Sequence, residues 1–194
     1  MKLYYESGTS ALASHIAFIE AGLSPELIRV DIATHKTAAG DDYYQVNLKG
    51  CLPSVVFRNG QKLTESVAIL DWAAQQSEAL KPETEEERMR LIEMLAFIST
   101  EIQKPLIFTF FIPGDDAVAA IRDMVAGRFA MLGKTIGDDH VLGRRFGVAD
   151  ALLYVTLRWA AMLEMKVPDN TAAYMQRIEA RPAVRRALEE EGLA

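Results

Sequence analysis

Two short strand-like runs enclose a single helical stretch within the first 32 residues, and strands joined by so little sequence have one common way to share a sheet. Leu3-Tyr4-Tyr5 forms the first run. Gly8-Thr9-Ser10 then supplies a turn and hydroxyl caps for a helix over Ala11 to Ala21, which Gly22 stops. After Ser24-Pro25, the run Leu27 to Ile32 alternates apolar and polar residues, as a strand with one buried face does. Strand, helix and strand at this spacing make a βαβ unit, with parallel pairing and a right-handed crossover.

Residues 34–49 are mostly polar and read as a loop with one short helix around Asp41 to Val46. Pro53 precedes Ser54-Val55-Val56-Phe57, and Asn59-Gly60 signals a type I′ hairpin into Gln61-Lys62-Leu63. Thr64-Glu65-Ser66 caps a further helix to about Gln75, with Val67, Leu70 and Ala74 on one face. The order β-α-β-α-β-β-α is the thioredoxin-like arrangement, a four-stranded mixed sheet with helices on both faces. Composition then turns wholly helical. The expected division is an α/β domain over residues 1–78, a linker at 79–87 around Pro82, and an all-α bundle over 88–194.

In the second half, Leu91, Leu95, Ile98 and Ile102 recur at helical spacing, and Pro105 or Pro113 should bend or end that helix. Asp115 and Asp116 open the next, to about Ile136. Val148 to Leu163 is apolar on nearly every face, as in the central helix of a bundle, and Asp150 there serves as a capping element behind Gly147. Short helices over Thr171 to Ala180 and Pro182 to Glu191 follow. Trp159, Met162 and Met165 read as core.

Charge and composition exclude several functions. The 194 residues carry 27 acidic and 21 basic side chains, a net charge of -6, with the basic groups dispersed, so nucleic acid is not an expected partner. One cysteine permits neither an internal disulfide nor a Cys-only metal site, and His15, His35 and His140 are too scattered for a metal. The first residues lack a signal-peptide core, and no stretch reaches about 20 apolar residues, so a cytoplasmic protein without a membrane span is expected.

Local stretches spread over the whole chain resemble the cytosolic glutathione transferases, and within them the bacterial beta class. They include Met1-Lys2-Leu3-Tyr4-Tyr5, Leu12-Ala13-Ser14-His15, Gly40-Asp41-Asp42-Tyr43, Val46-Asn47 and Lys49-Gly50. Leu63 to Ile69, Ala149-Asp150-Ala151, Leu157 to Ala160 and Arg181 to Val184 complete the set. The resemblance implies a thiol tripeptide, glutathione, as co-substrate, no metal, and a homodimer.

Residue by residue, the resemblance implies a cis Leu52-Pro53 bond whose preceding backbone pairs with the tripeptide; a proline merely opening a strand is the alternative. Glu65 and Ser66 would hold the γ-glutamyl group at a helix start, or Thr64 and Glu65 simply cap that helix. Ser10 stands where the class usually has cysteine. It could donate to a thiolate but not form a mixed disulfide, and it is also a natural N-cap. Thr9 is the next donor and Tyr5 the third, Tyr5 reading first as a core aromatic at the end of a strand. Gln103 stands where the class has histidine, so it can donate a hydrogen bond but not carry a proton, while Lys104 matches. His35, where the family often has lysine, would meet the glycine carboxylate or sit in an exposed loop. Cys51 could approach glutathione or be an inert buried thiol.

These residues lead to a transferase that joins the glutathione thiolate to an apolar electrophile, with Phe108, Phe110, Phe111 and Ile112 as acceptor-pocket candidates that could equally be core or interface. A non-catalytic binder of glutathione or an apolar ligand is the rival reading. A glutathione-dependent disulfide reductase using Cys51 is the third.

Overall fold

The computed structural model describes residues 1–136 and 140–194. It contains two compact units, one of Met1–Lys81 with Pro182–Ala194, the other of Pro82–Arg181. The expectation of a single helical domain over 88–194 differs from this division, because the last helix packs in the first unit.

In the first unit, strands β1 (Lys2–Tyr5), β2 (Glu26–Asp31), β3 (Lys36–Thr37), β4 (Ser54–Val56) and β5 (Lys62–Thr64) form one sheet in the order β3-β2-β1-β4-β5. β1 and β2 are parallel, with Leu3 opposite Leu27, while β4 runs antiparallel to β1 with Val55 opposite Leu3. β3 was not expected and gives the sheet a fifth strand. Helices α1 (Ala11–Glu20) and α2 (Ser66–Ala74) pack together, Trp72 lying edge-on to Phe18 at 5.9 Å and to Phe57 at 4.9 Å. The pleat sends Leu3 and Tyr4 to opposite faces, and both are buried. Tyr4 and Val30 pack with Tyr43 against Ile28, Val46 and Val56, so this face is covered by a single 3-10 turn, Tyr43–Gln45, in place of a full helix.

α1 ends as expected: Gly22 takes φ +72°, its N–H donates to Ile19 O, and Leu23 N–H donates to Phe18 O, a Schellman closure. The hairpin differs. Gly60 alone has positive φ in the loop, with Gly60 N–H donating to Phe57 O and Phe57 N–H to Gln61 O. That is a type I turn followed by a glycine bulge; type I′ requires positive φ at Asn59 as well.

The second unit holds α3 (Glu85–Phe97), a π turn (Ile98–Gln103), α4 (Lys104–Phe108), α5 (Asp115–Ile136), α6 (Val148–Met162) and α7 (Asn170–Glu179). Thr84 opens α3, its hydroxyl accepting from Glu87 N–H. Pro105 has no N–H to donate to the preceding turn, and the helix widens there and continues to Phe108. α6 is buried from Val148 to Leu157 without a break. Its anchor is Asp150, 1% exposed, which accepts from Gly147 N–H (2.8 Å), Val141 N–H (2.9 Å) and Tyr174 O–H (2.8 Å). Burial and this carboxylate drive the Tyr174 phenol well above its ordinary pKa. Met162 is 76% exposed, against the expectation of a core residue.

α8 (Pro182–Glu190) turns Val184, Ala187 and Leu188 inward and packs on α1. Buried His15 of α1 lies between Glu191 (3.1 Å) and Glu190 (2.9 Å), and Glu191 also accepts from Gly8 N–H at 3.0 Å. No helix among the described residues is long and apolar enough to cross a membrane, and no group of three or more His, Cys, Asp or Glu among them could hold a metal.

Candidate functional site

Ser10 lies at the start of α1 because the preceding turn folds on itself: Thr9 donates its hydroxyl to Glu6 O (2.7 Å) and accepts weakly from Ala11 N–H. Ser10 is 6% exposed and its side chain makes no capping bond. Instead it donates to Leu52 O at 3.2 Å, which joins two segments 42 positions apart. The Leu52-Pro53 bond is cis. Among the described residues the Leu52 N–H has no partner.

The 49–53 loop is held from beneath by a polar knot. The Tyr43 hydroxyl lies 2.8 Å from Cys51 O and 2.6 Å from Ser54 Oγ, and the Asn47 amide donates to the same two atoms at 2.8 and 3.1 Å. Asn47 Oδ1 also accepts from Lys49 N–H. Burial pushes the Tyr43 phenol above its ordinary pKa, so it stays a donor. Cys51 is exposed, not a buried thiol, and its sulfur contacts Lys49 O. Gly50 takes φ +68°, and a Cβ there would sit 2.8 Å from His35 Nε2, so only glycine lets the loop close on that ring. His35 is half-buried, stacked on Tyr44 with centroids 4.6 Å apart.

At the β5–α2 corner Glu65 adopts φ +73°, a conformation that costs a residue with a side chain on the order of 1–3 kcal/mol. Its carboxylate does not cap α2. It pairs with Lys49, which also donates to Thr64 Oγ1. Ser66 occupies the first turn of α2, where backbone N–H groups lack helical acceptors and the dipole favours an anion.

The sheet unit thus brings Ser10, Leu52 and Pro53 together, and separately joins Lys49 to Glu65. Tyr5 is half-buried. Burial, then the charge of Glu191, raises its pKa, so the phenol keeps its proton at neutral pH. In the helical unit Gln103 is buried within the π turn with its Oε1 unpartnered, and Lys104 sits over the Phe108 ring at 5.3 Å. Phe108, Phe110, Phe111 and Ile112 are exposed, so they are not core.

Sequence reasoning gave no role to Lys49, Tyr43, Asn47 or Ser54. An Asn two residues before Lys49 in a polar segment was the available signal, since such residues close turns onto the backbone.

Chemically, this geometry offers an extended peptide a free N–H at Leu52, an anion the start of α2, and a sulfur or oxyanion the Ser10 hydroxyl beside the start of α1. The family profile described as the N-terminal domain of glutathione S-transferase matches residues 10–76, and that of the C-terminal domain matches residues 97–182. The chain is 36% identical over 202 residues to glutathione S-transferase GstA of Escherichia coli O157:H7, covering all of both chains. A sphingomonad glutathione S-transferase complexed with glutathione superposes with a TM-score of 0.90 at 40% identity, all of both chains covered. The beta class enzyme of Sphingomonas chungbukensis does so with a TM-score of 0.90 at 37% identity, again over both whole chains. With both domain profiles matched, over residues 10–76 and 97–182, and full-length relatives 36% to 40% identical, the chain belongs to the glutathione S-transferase family.

Proposed function

We propose that this chain is a beta-class-like glutathione transferase that binds glutathione on its sheet unit and joins the thiolate to small apolar electrophiles. The observation that carries the reading is the Ser10 hydroxyl held 3.2 Å from Leu52 O at the start of α1. Glutathione pairs its backbone with Leu52, ahead of Pro53, and thereby supplies the carbonyl with an N–H that replaces Ser10. The freed hydroxyl then donates to sulfur. Glu65 and Ser66 receive the γ-glutamyl end, Lys49 orienting Glu65, and His35 meets the glycine carboxylate.

A free thiol titrates at about 8.5, and each unit of depression needs about 1.4 kcal/mol of preferential stabilisation of the anion. Ser10 and the α1 dipole together supply it; Thr9 and Tyr5 are the reserve donors. In the reaction the sulfur forms a C–S bond to the electrophilic carbon, the leaving group departs with its electron pair, and the thiol proton goes to water. Gln103 contributes a hydrogen bond and Lys104 a charge, while Phe108 and Phe111 line the acceptor pocket. The working form is a cytoplasmic homodimer.

Titration calorimetry with glutathione beside an assay with 1-chloro-2,4-dinitrobenzene tests the proposal. Binding with turnover supports it. Binding without turnover favours the non-catalytic binder, and absence of binding sinks both. The exposed Cys51 keeps a disulfide reductase in play, and Cys51→Ser abolishes any such activity if it exists.

A further inference from the structure

Gly8 takes φ +71° in the turn before α1, and its N–H donates to Glu191 Oε2 at 3.0 Å. The other oxygen of that carboxylate lies 3.1 Å from His15 Nδ1. Ser10 sits between these two attachment points, two residues after one and five before the other. A single carboxylate following α8 therefore grips the start of α1 on both sides of the residue assigned to the sulfur. The grip is itself held. His15 Nε2 lies 2.9 Å from Glu190 Oε2, and Glu190 Oε1 accepts from Arg186 Nε at 2.7 Å. Beyond Glu191, Gly192 turns with φ +69° and Leu193 N–H donates to Leu188 O at 2.8 Å, which brings the Leu193 side chain to within 3.6 Å of where a Gly8 Cβ would stand.

A carboxylate that is 5% exposed, beside a histidine that is 1% exposed, is expensive to bury. Packing α8 on α1 does not require it, because Val184, Ala187 and Leu188 already bury an apolar stripe. What the carboxylate adds is a fixed place for the turn ahead of Ser10. That turn closes on Glu6 O, which accepts from Thr9 N–H at 3.2 Å and from the Thr9 hydroxyl at 2.7 Å; Gly8 N–H tethers it to a second element. Ser10 makes no capping bond, so its side chain is not fixed to its own helix. Its hydroxyl reaches Leu52 O at 3.2 Å, the long end of hydrogen bonding, and a shift of about 1 Å is enough to undo a catalytic contact.

We infer that Glu191 is a positioning residue for the thiolate: through Gly8 and His15 it sets the start of α1 so that the Ser10 hydroxyl reaches the glutathione sulfur. The inference rests on the proposed contact between Ser10 and sulfur, and adds a residue to which no contact with glutathione is assigned. Its sign separates it from two simpler roles. Burial, and then the Glu191 charge, raise the Tyr5 pKa, so the field of this carboxylate reaches the end of β1. A bystander charge of that kind opposes a thiolate, and removing it lowers the thiol pKa. A purely structural acid lowers the melting temperature on removal and leaves the thiol pKa where it was. A positioning residue raises the thiol pKa on removal. The other charges near Glu191 are His15 on α1, Glu190 and Arg186 on α8, and Glu6 and Arg29 at the sheet, and all stay in place in the variants below.

The test follows the ultraviolet absorbance of bound glutathione thiolate against pH in the parent, Ser10→Ala, Glu191→Ala, Glu191→Asp and Glu191→Gln. Glu191→Asp keeps the charge but falls one methylene short of Gly8, whereas Glu191→Gln keeps an oxygen for Gly8 without the charge. In Glu191→Ala and Glu191→Asp the expected thiol pKa rises by about half a unit, which leaves about threefold less thiolate below it. Glu191→Gln restores a value near the parent, and Glu191→Ala adds nothing further in a Ser10→Ala background, since both act through one hydroxyl. Circular dichroism checks the fold, and if Glu191→Ala does not fold, Glu191→Asp carries the comparison. With Ser10→Ala raising the thiol pKa, three results overturn the inference alone: Glu191→Asp at or below the parent value, Glu191→Gln no better than Glu191→Asp, or full additivity with Ser10→Ala. A Ser10→Ala profile that coincides with the parent overturns the contact between Ser10 and sulfur, and the inference with it.

Discussion

Ser10→Ala removes one hydroxyl from the start of α1 and leaves the helix otherwise intact, because that side chain caps nothing. In the unliganded chain the hydroxyl donates to Leu52 O at 3.2 Å, a long neutral bond worth about 0.5–1.5 kcal/mol net. Turned toward a thiolate it makes a bond to a charged group, worth about 1.5–3 kcal/mol. To the neutral thiol the same hydroxyl makes only a neutral bond of about 0.5–1.5 kcal/mol, so the difference, on the order of 1–2 kcal/mol, is the preference for thiolate over thiol that Ser10 adds. At about 1.4 kcal/mol per unit, Ser10→Ala raises the pKa of the bound thiol by about one unit. The sign fixes the pH window. The parent holds more thiolate below its own thiol pKa, so kcat/KM with 1-chloro-2,4-dinitrobenzene falls about tenfold there, and the two proteins converge at alkaline pH. Ultraviolet absorbance of the bound thiolate against pH gives the same shift without turnover. Profiles that coincide within about 0.3 of a unit, equivalent to some 0.4 kcal/mol, remove Ser10 from thiolate stabilisation.

Asp150→Ala withdraws the acceptor of three buried or half-buried donors and costs about 3–5 kcal/mol, lowering the melting temperature by about 6–20 °C. Asp150→Asn rescues little, since its amide turns a donor toward other donors; a melt within 2 °C of the parent for either variant, below about 1 kcal/mol, contradicts this. Lys49→Ala leaves stability within about 1 kcal/mol, because the pair with Glu65 is 50% and 67% exposed, but raises KM for glutathione severalfold in steady-state assays. Glu190 titrates below its ordinary 4.5: burial opposes this, but hydrogen bonds from Arg186 and His15 outweigh it. Its folded pKa being depressed, its contribution is present above 4.5 and fades as pH falls through the lower folded value. Carboxylate NMR titration shows the shift shrinking in Arg186→Ala.

The elements legible in the sequence are those whose side chains repeat with a period. Leu27 to Ile32 alternates and Leu91, Leu95, Ile98 and Ile102 recur, so β2 is legible to within a residue at each end and the long helix is legible as a helix, though not in its bounds. A two-residue strand such as β3 has no period to find. Asn59-Gly60 announced a reversal but not its type, which depends on how Phe57 and Gln61 pair. Pro105 announced an interruption, yet helices can absorb a missing donor by widening. The amphipathic pattern of α8 shows that it packs, not on what. At the candidate site, Ser10, Leu52, Glu65 and Ser66 were readable as residues, but the bonds from Ser10 to Leu52 and from Lys49 to Glu65 span 42 and 16 positions, beyond any local pattern.

The return of α8 to the sheet unit has a temporal meaning. Gly8 and His15 emerge from the ribosome early, yet their acceptor Glu191 is made more than 170 residues later, a wait of about 10–40 s at typical synthesis rates. The helical unit, encoded in between, has all its partners first, so during translation the second half of this protein can mature before the first.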